Sequence, residues 1–388
     1  MNQLRKSCST NLLILVHYLE NIWSIHCPRE IALYIVYQYY QLFRLKISVG
    51  SDHLLLLFDG DIYARGSNYW GQLGFTMKDN CNTLQKLKTK KFKQIVAGSY
   101  YSMALTMSGK VYIWGRTNFG GLYDPRTYHP KKVVFPLDGT RIKKIIGGSR
   151  HVIAISNQDE IWVWGENYRG QLGFGNNYHY RFPQKLEFLL PHEKIKKIVC
   201  GRYHSMVLTT LGEVYSWGKK ISNGFDIKVT RPTKLNLKNI EEIICKKSNH
   251  SVVIDKSNKI YTWGKNSHGQ LGLGHQIDVP HPIELCYGFT TIVCSCKHSM
   301  AIMNSDIYVW GRNNYAELGP ISSLTIKELK HYQAETIPKT IDFPFDATRI
   351  KKIIYDDFFS IAVTYSNELY LSEYLIRREP PIPKLLEF

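Results

Sequence analysis

The sequence predicts an all-β array of repeated units, and three recurrences predict it. The dipeptide Trp-Gly returns at near-constant spacing, a short apolar run ending near a His precedes it, and a tight turn lies between the two. The Trp-Gly copies are Trp114-Gly115, Trp164-Gly165, Trp217-Gly218, Trp263-Gly264 and Trp310-Gly311, with a degraded Arg65-Gly66 before them. Successive copies lie 46 to 53 residues apart, a period that marks supersecondary units set side by side. Such arrays present surfaces more often than they build one catalytic cleft, which argues against an enzyme.

Each unit opens on an apolar run. The copies span 47–53, 95–101, 145–151, 198–204, 244–250, 292–298 and 353–359. Short apolar runs bounded by Gly suit buried strands. Next comes a turn: Asp59-Gly60, Ser108-Gly109, Leu211-Gly212, Ser257-Asn258 or Ser366-Asn367. Gly and Asn tolerate the positive φ of two-residue hairpins. A second strand then ends on the Trp. An aromatic residue stands two positions before it in all five copies (Tyr112, Trp162, Tyr215, Tyr261, Tyr308), and period-2 geometry puts both on one face. An Asn- and Gly-rich loop follows, then Pro-flanked residues such as Phe182-Pro183 that supply an outer strand.

That loop carries a family resemblance. Trp164-Gly165-Glu166-Asn167-Tyr168-Arg169-Gly170-Gln171-Leu172-Gly173 resembles the signature of RCC1-type repeats (regulator of chromosome condensation type), as do residues 263–272 and 66–74. Ala316-Glu317 replaces Gly-Gln in the copy at 310–319, and the copies at 114–123 and 217–226 depart further. The resemblance covers residues 45–388 and implies a seven-bladed β-propeller with four-stranded blades. A seventh unit starts at Ile350, with Ser372 where Trp should be. The tail at 383–386 reads as its outer strand, lying against the blade that opens at Leu45. Closure of this kind hides sheet edges.

The repeated residues are read chiefly as structural. His53, His151, His204, His250 and His298 share one repeat position, with Tyr101 and Phe359 in the other two copies. Positions one blade apart are too distant for a shared metal at ~2 Å per bond, so each His is expected to bond the backbone of its own or the next blade. The five Trp residues are expected to be packing. Cys200, Cys245, Cys294 and Cys296 lie on or beside the same strands and read as small buried hydrophobes. No catalytic, cofactor or metal residue is assigned.

The charge is the functional clue. Lys and Arg number 50 against 32 Asp and Glu, a net charge of +18. Part of this reflects a Lys-, Asn-, Ile- and Tyr-rich composition. A basic element nevertheless repeats before the inner strands: Lys143-Lys144, Lys196-Lys197 and Lys351-Lys352. At one repeat position these lysines fall on one side of the disc, either as a face for an anionic partner or as a solvated rim. Glu241-Glu242 and Thr290-Thr291 interrupt it.

Residues 1–44 fall outside the repeat. Leu12, Leu15, Val16, Leu19, Ile22 and Trp23 follow helical spacing, and a second helix is expected from Pro28. Residues 28–35 resemble the opening of an F-box, although a short helical cap fits their length better. No apolar run reaches the ~18 residues of a membrane-spanning helix. The eight Cys form no disulfide or zinc-ligand pattern, which points to cytoplasm or nucleus rather than secretion.

The expected function is a non-enzymatic scaffold, a monomer that binds a protein partner through loops on one propeller face. The family's founding member implies an alternative: guanine nucleotide exchange on a small GTPase, with chromatin or nucleic-acid binding through the basic rim. A substrate adaptor that docks a ubiquitin-ligase component through residues 1–44 is the third.

Overall fold

Short strands joined by tight turns pair with their chain neighbours, and this chain does so throughout. In the computed structural model, the strands form seven four-stranded antiparallel sheets, each a meander in chain order. The sheets span 46–86, 92–132, 142–186, 195–234, 240–285, 291–341 and 350–385. The structure describes residues 46–388 except 77–79, 88–89, 118–125, 188–193, 305, 313–333, 342–349, 356–358, 365–368, 374–383 and 386–388. The helices expected within 1–44 lie outside the described residues. The chain divides into two compact units, Met1–Lys46 and Ile47–Phe388.

The fold of the second unit is an all-β propeller. The fourth sheet is representative, with strands Ile195–Cys200, His204–Thr209, Val214–Gly218 and Val229–Lys234. Its hairpin register pairs His204 with Gly218 and Ser205 with Trp217. The turn expected at Asp59-Gly60 has φ of 47° and 79° at its two residues, the positive values such a hairpin needs. The tail strand Lys384–Leu385 pairs with Leu369–Glu373 and completes the seventh sheet.

First strands of neighbouring sheets bond one another. The Gln94 side chain donates to the Ile145 carbonyl at 2.7 Å and accepts from the Ile145 amide at 3.0 Å. The Ala97 amide donates to the Ser48 hydroxyl at 2.9 Å. Two links jump further. Lys247 of the fifth sheet donates to the Val49 carbonyl of the first. Arg202 of the fourth donates to the Cys296 sulfur of the sixth at 3.2 Å. Reach of this kind requires the first strands to line the axis.

The cores lie between sheets. Trp114 of the second sheet joins Leu55, Leu57, Ile62 and Leu73 of the first, and Tyr112 packs on the same face. Trp217, Trp263 and Trp310 repeat this arrangement with Tyr215, Tyr261 and Tyr308. Trp164 does so with Trp162. All five repeated Trp side chains are fully buried. Removing one to Ala costs about 3–5 kcal/mol.

Candidate interaction face

The signature loop is a clip between neighbouring sheets. Asn167 zips it shut, donating to the Asn176 carbonyl at 3.1 Å and accepting from the Leu172 amide at 2.9 Å. Asn68 and Asn266 do the same in their copies. The Gln171 carbonyl then accepts from the Trp217 indole and the Ser205 hydroxyl of the next sheet, both at 2.9 Å. Gln72 and Gln270 serve Trp114 and Trp310 identically. Gly173 ends the loop against that indole. A Cβ there would stand 3.0 Å from Trp217 Nε1, and φ is +89°. Ser222 replaces Gln in the copy that departs from the pattern, and its carbonyl still takes the Trp263 indole at 3.2 Å.

The His ring differs from expectation in one respect. Each described Nε2 partner is a hydroxyl on the next sheet rather than a backbone group. Nε2 of His53, His151, His204 and His250 stands 2.7–3.0 Å from the hydroxyls of Ser102, Ser205, Ser251 and Ser299. Each serine spends its only proton on a loop carbonyl. The imidazole is therefore the donor and carries a proton on Nε2. Burial holds the pKa values of His151, His204 and His250 down to about 3. Gly201 makes room for the His204 ring, because a Cβ there would fall 2.1 Å from Cε1.

The second copy shows why Tyr101 replaces His. Its neighbour across the interface has Val152 where the others have Ser. Tyr101 reaches past that position to the carbonyls of Gly148 and His151, at 3.0 and 3.2 Å. Among the described residues, no three His, Cys, Asp or Glu side chains are grouped to hold a metal ion. Cys81, Cys200, Cys245, Cys286, Cys294 and Cys296 are free thiols, and Cys286 alone of these is exposed.

The two ends of the propeller carry charge differently. The predicted basic element lies at the hairpin-turn end, where the Ile142 and Ile240 amides donate to the turn residues Gly109 and Gly212. Most of its charge is compensated. Lys143 pairs with Asp159, Lys196 with Glu241 and Lys197 with Glu242. Lys144 is exposed. Thus Glu241 and Glu242, read from sequence as gaps in the basic ring, are its counter-ions. The side chains of Lys351 and Lys352 lie outside the described residues. Further pairs at this end are Lys86 and Lys91 with Asp61, Lys185 with Glu160, Lys234 with Glu213 and Lys259 with Glu284.

The signature-loop end is different. In each of the five sheets that carry Trp-Gly, the residue after it donates its amide to the residue before the repeated His or Tyr. This brings together Tyr100 with Arg116, Arg150 with Glu166, Tyr203 with Lys219, Asn249 with Lys265, and Lys297 with Arg312. Arg150 bonds Glu166 at 2.9 Å, and Lys265 approaches Asp278 at 3.5 Å. Arg169, Arg202, Lys219 and Lys297 pair with no carboxylate among the described residues. They sit instead among aromatic rings. Arg202 and Lys219 lie 5.3 and 5.6 Å from the Tyr203 ring centre, and Arg169 lies 5.4 Å from that of Tyr168. The two rings meet edge to face at 5.5 Å.

This crowding shifts the groups themselves. Burial lowers the Lys219 pKa, and the charges of Lys265 and Arg169 lower it further. Burial also lowers that of His268, helped by Lys297 and Arg312. Sequence reasoning missed this cluster because its members stand at different repeat offsets. The available signal was a basic residue following Trp-Gly in four of five copies.

Comparison with known proteins places this geometry. The RCC1-like domain profile matches residues 42–285 and, in an overlapping alignment, 123–372. The human E3 ubiquitin-protein ligase HERC2 is 28% identical over 297 residues, covering 72% of this chain and 6% of the ligase. The Arabidopsis thaliana ultraviolet-B receptor UVR8 is 25% identical, over 61% of this chain and 56% of the receptor. This chain therefore spans only part of the length of either relative. The crystal structure of Saccharomyces cerevisiae Prp20p, described with its binding properties to Gsp1p and histones, has a TM-score of 0.67 at 22% identity. That likeness covers 80% of this chain and 79% of Prp20p.

Proposed function

This chain belongs to the RCC1-like domain family, and from that premise we propose that it is a non-enzymatic protein-interaction platform of the cytoplasm or nucleus. One observation carries the reading. Lys143, Lys196 and Lys197 of the repeated basic element meet carboxylates at the hairpin-turn end, whereas Arg169, Arg202, Lys219 and Lys297 at the signature-loop end meet none among the described residues. Uncompensated like charge held in place costs stability, so its persistence on a rigid frame points to a partner. The test is affinity purification with the full chain at low and high salt. A reproducible protein partner supports the reading. Recovery of none, under conditions that retain a control propeller's partner, removes it.

We further propose that all seven sheets close as one ring. His53, His151, His204 and His250 each face the Ser that stands second in the corresponding strand of the next sheet. Tyr101 replaces the His where Val152 replaces the Ser, and the two patterns also lapse together at Phe359 and Leu54. The second lapse supports placing the seventh sheet beside the first, as closure requires.

A second reading is guanine nucleotide exchange on a small GTPase, with chromatin or nucleic-acid binding. It draws on the fold-level likeness to Prp20p, and fold alone does not carry activity. Accelerated nucleotide release, measured across a panel of small GTPases, would put it first. Adaptor function in ubiquitin ligation would rest on residues 1–44, and a ligase-core pull-down that depends on them tests it.

A further inference from the structure

We propose that the axial part of the signature-loop end, where Arg169, Arg202, Lys219 and Lys265 surround the Tyr168–Tyr203 ring pair, binds an acidic, carboxylate-rich protein segment. This rests on the platform reading above and names its contact surface and the partner's chemistry. The surface lies at the opposite end from the repeated lysines.

The cations are held ready. Arg202 donates its Nε–H to the Tyr203 hydroxyl at 3.1 Å and an Nη–H to Cys296 at 3.2 Å, which fixes the guanidinium plane. Lys219 lies against the same ring. Cations on aromatic faces are partly stripped of water while keeping their charge. A carboxylate reaching them gains a charge-assisted bond with little of the ordering cost that a solvated Lys or Arg exacts. Among the described residues no carboxylate pairs with Arg169, Arg202 or Lys219.

A protein segment fits better than a nucleic acid for two reasons. Single-stranded nucleic acid needs open ring faces for base stacking. Here the Tyr203 ring carries two cations, and Tyr168 meets it edge-on. A phosphate backbone also needs a continuous basic track. Glu166, beside Arg150, and Asp278, beside Lys265, flank the cluster and would repel such a track. A short acidic segment entering near the axis meets the cations and can avoid both carboxylates.

The test uses the full chain and fluorescence anisotropy with a labelled oligoglutamate peptide and a single-stranded oligonucleotide of equal charge. The expected result is that the peptide binds more tightly than the oligonucleotide. Arg169→Glu combined with Lys265→Glu should weaken peptide binding at least tenfold, while Lys143→Glu with Lys196→Glu leaves it unchanged. Lys219→Gln, which removes the charge and keeps a polar side chain, should weaken it severalfold and guards against misfolding of the double variant. Thermal melts confirm that each variant is folded. Equal loss from both pairs of charge reversals, no loss from the first pair, or tighter oligonucleotide binding would each overturn the proposal. The two readings fail separately. A purified protein partner that survives Arg169→Glu with Lys265→Glu sinks this surface and leaves the platform standing.

Discussion

His204 Nε2 and the Ser251 hydroxyl oxygen stand 2.7 Å apart, and the proton between them belongs to the imidazole. The added proton would have to sit on Nδ1, which is buried with no hydrogen-bond partner among the described residues, so charging the ring carries an uncompensated desolvation cost. His151, His204 and His250 have folded pKa values near 3, against about 6.5 when unfolded. The unfolded chain therefore takes up more protons between these limits. The stabilisation is fully present above pH ~6.5 and declines as pH falls toward 3. By pH 5 the loss is on the order of 2 kcal/mol for each fully buried imidazole. Urea unfolding at pH 7 and pH 5 should show a midpoint drop consistent with several kcal/mol, and coincident curves would refute the account.

Ring closure has a direct test at the paired lapses. Leu54→Ser and Phe359→His each destabilise the propeller, but together they should restore the link seen at His204 and Ser251. A coupling energy of about 1 kcal/mol is expected, from a thermodynamic cycle of the two single variants and the double. Tyr101→His with Val152→Ser provides the internal comparison. Strict additivity at Leu54 and Phe359 would mean that the seventh and first sheets do not adjoin.

The indoles are not equivalent. Trp217 donates to the Gln171 carbonyl at 2.9 Å, whereas the Trp164 nitrogen is buried with no partner among the described residues. Trp217→Phe should therefore cost about 1 kcal/mol more than Trp164→Phe. Chemical denaturation of the two variants measures the difference, and the reverse order would contradict the clip assigned to the signature loop.

Gly201 is held by its neighbour rather than by its backbone. An added methyl would fall 2.1 Å from the His204 ring. Gly201→Ala should cost about 1–3 kcal/mol, and His204→Ala in the same chain should recover part of that loss by emptying the space. Denaturation of the single and double variants decides it. A tolerated Gly201→Ala would show that the ring moves freely.

The repeat was legible because packing imposes it on the chain. The Trp is buried against the preceding sheet in every copy, so it recurs, and the loop that bonds it recurs with it. The His–Ser link was also written in the sequence. Ser102, Ser205, Ser251 and Ser299 each directly follow the His or Tyr of their own strand. Reading it required recognising that the two residues face opposite neighbours, which period-2 alternation supplies. Charge was less legible. The lysine pairs looked like an exposed basic face, yet Lys196 and Lys197 meet Glu241 and Glu242 some 45 residues on. The cation–tyrosine cluster draws Arg169, Arg202, Lys219 and Lys265 from three successive repeats, and no single-repeat pattern contains it.

Links across the axis change what kind of object this is. In a plain ring each unit touches two neighbours, so damage could spread only from one joint to the next. Lys247 to Val49 and Arg202 to Cys296 act as spokes. They tie together units that are not chain neighbours. They also make a distant pair of units give way together, so the wheel should fail as a whole before it sheds one segment.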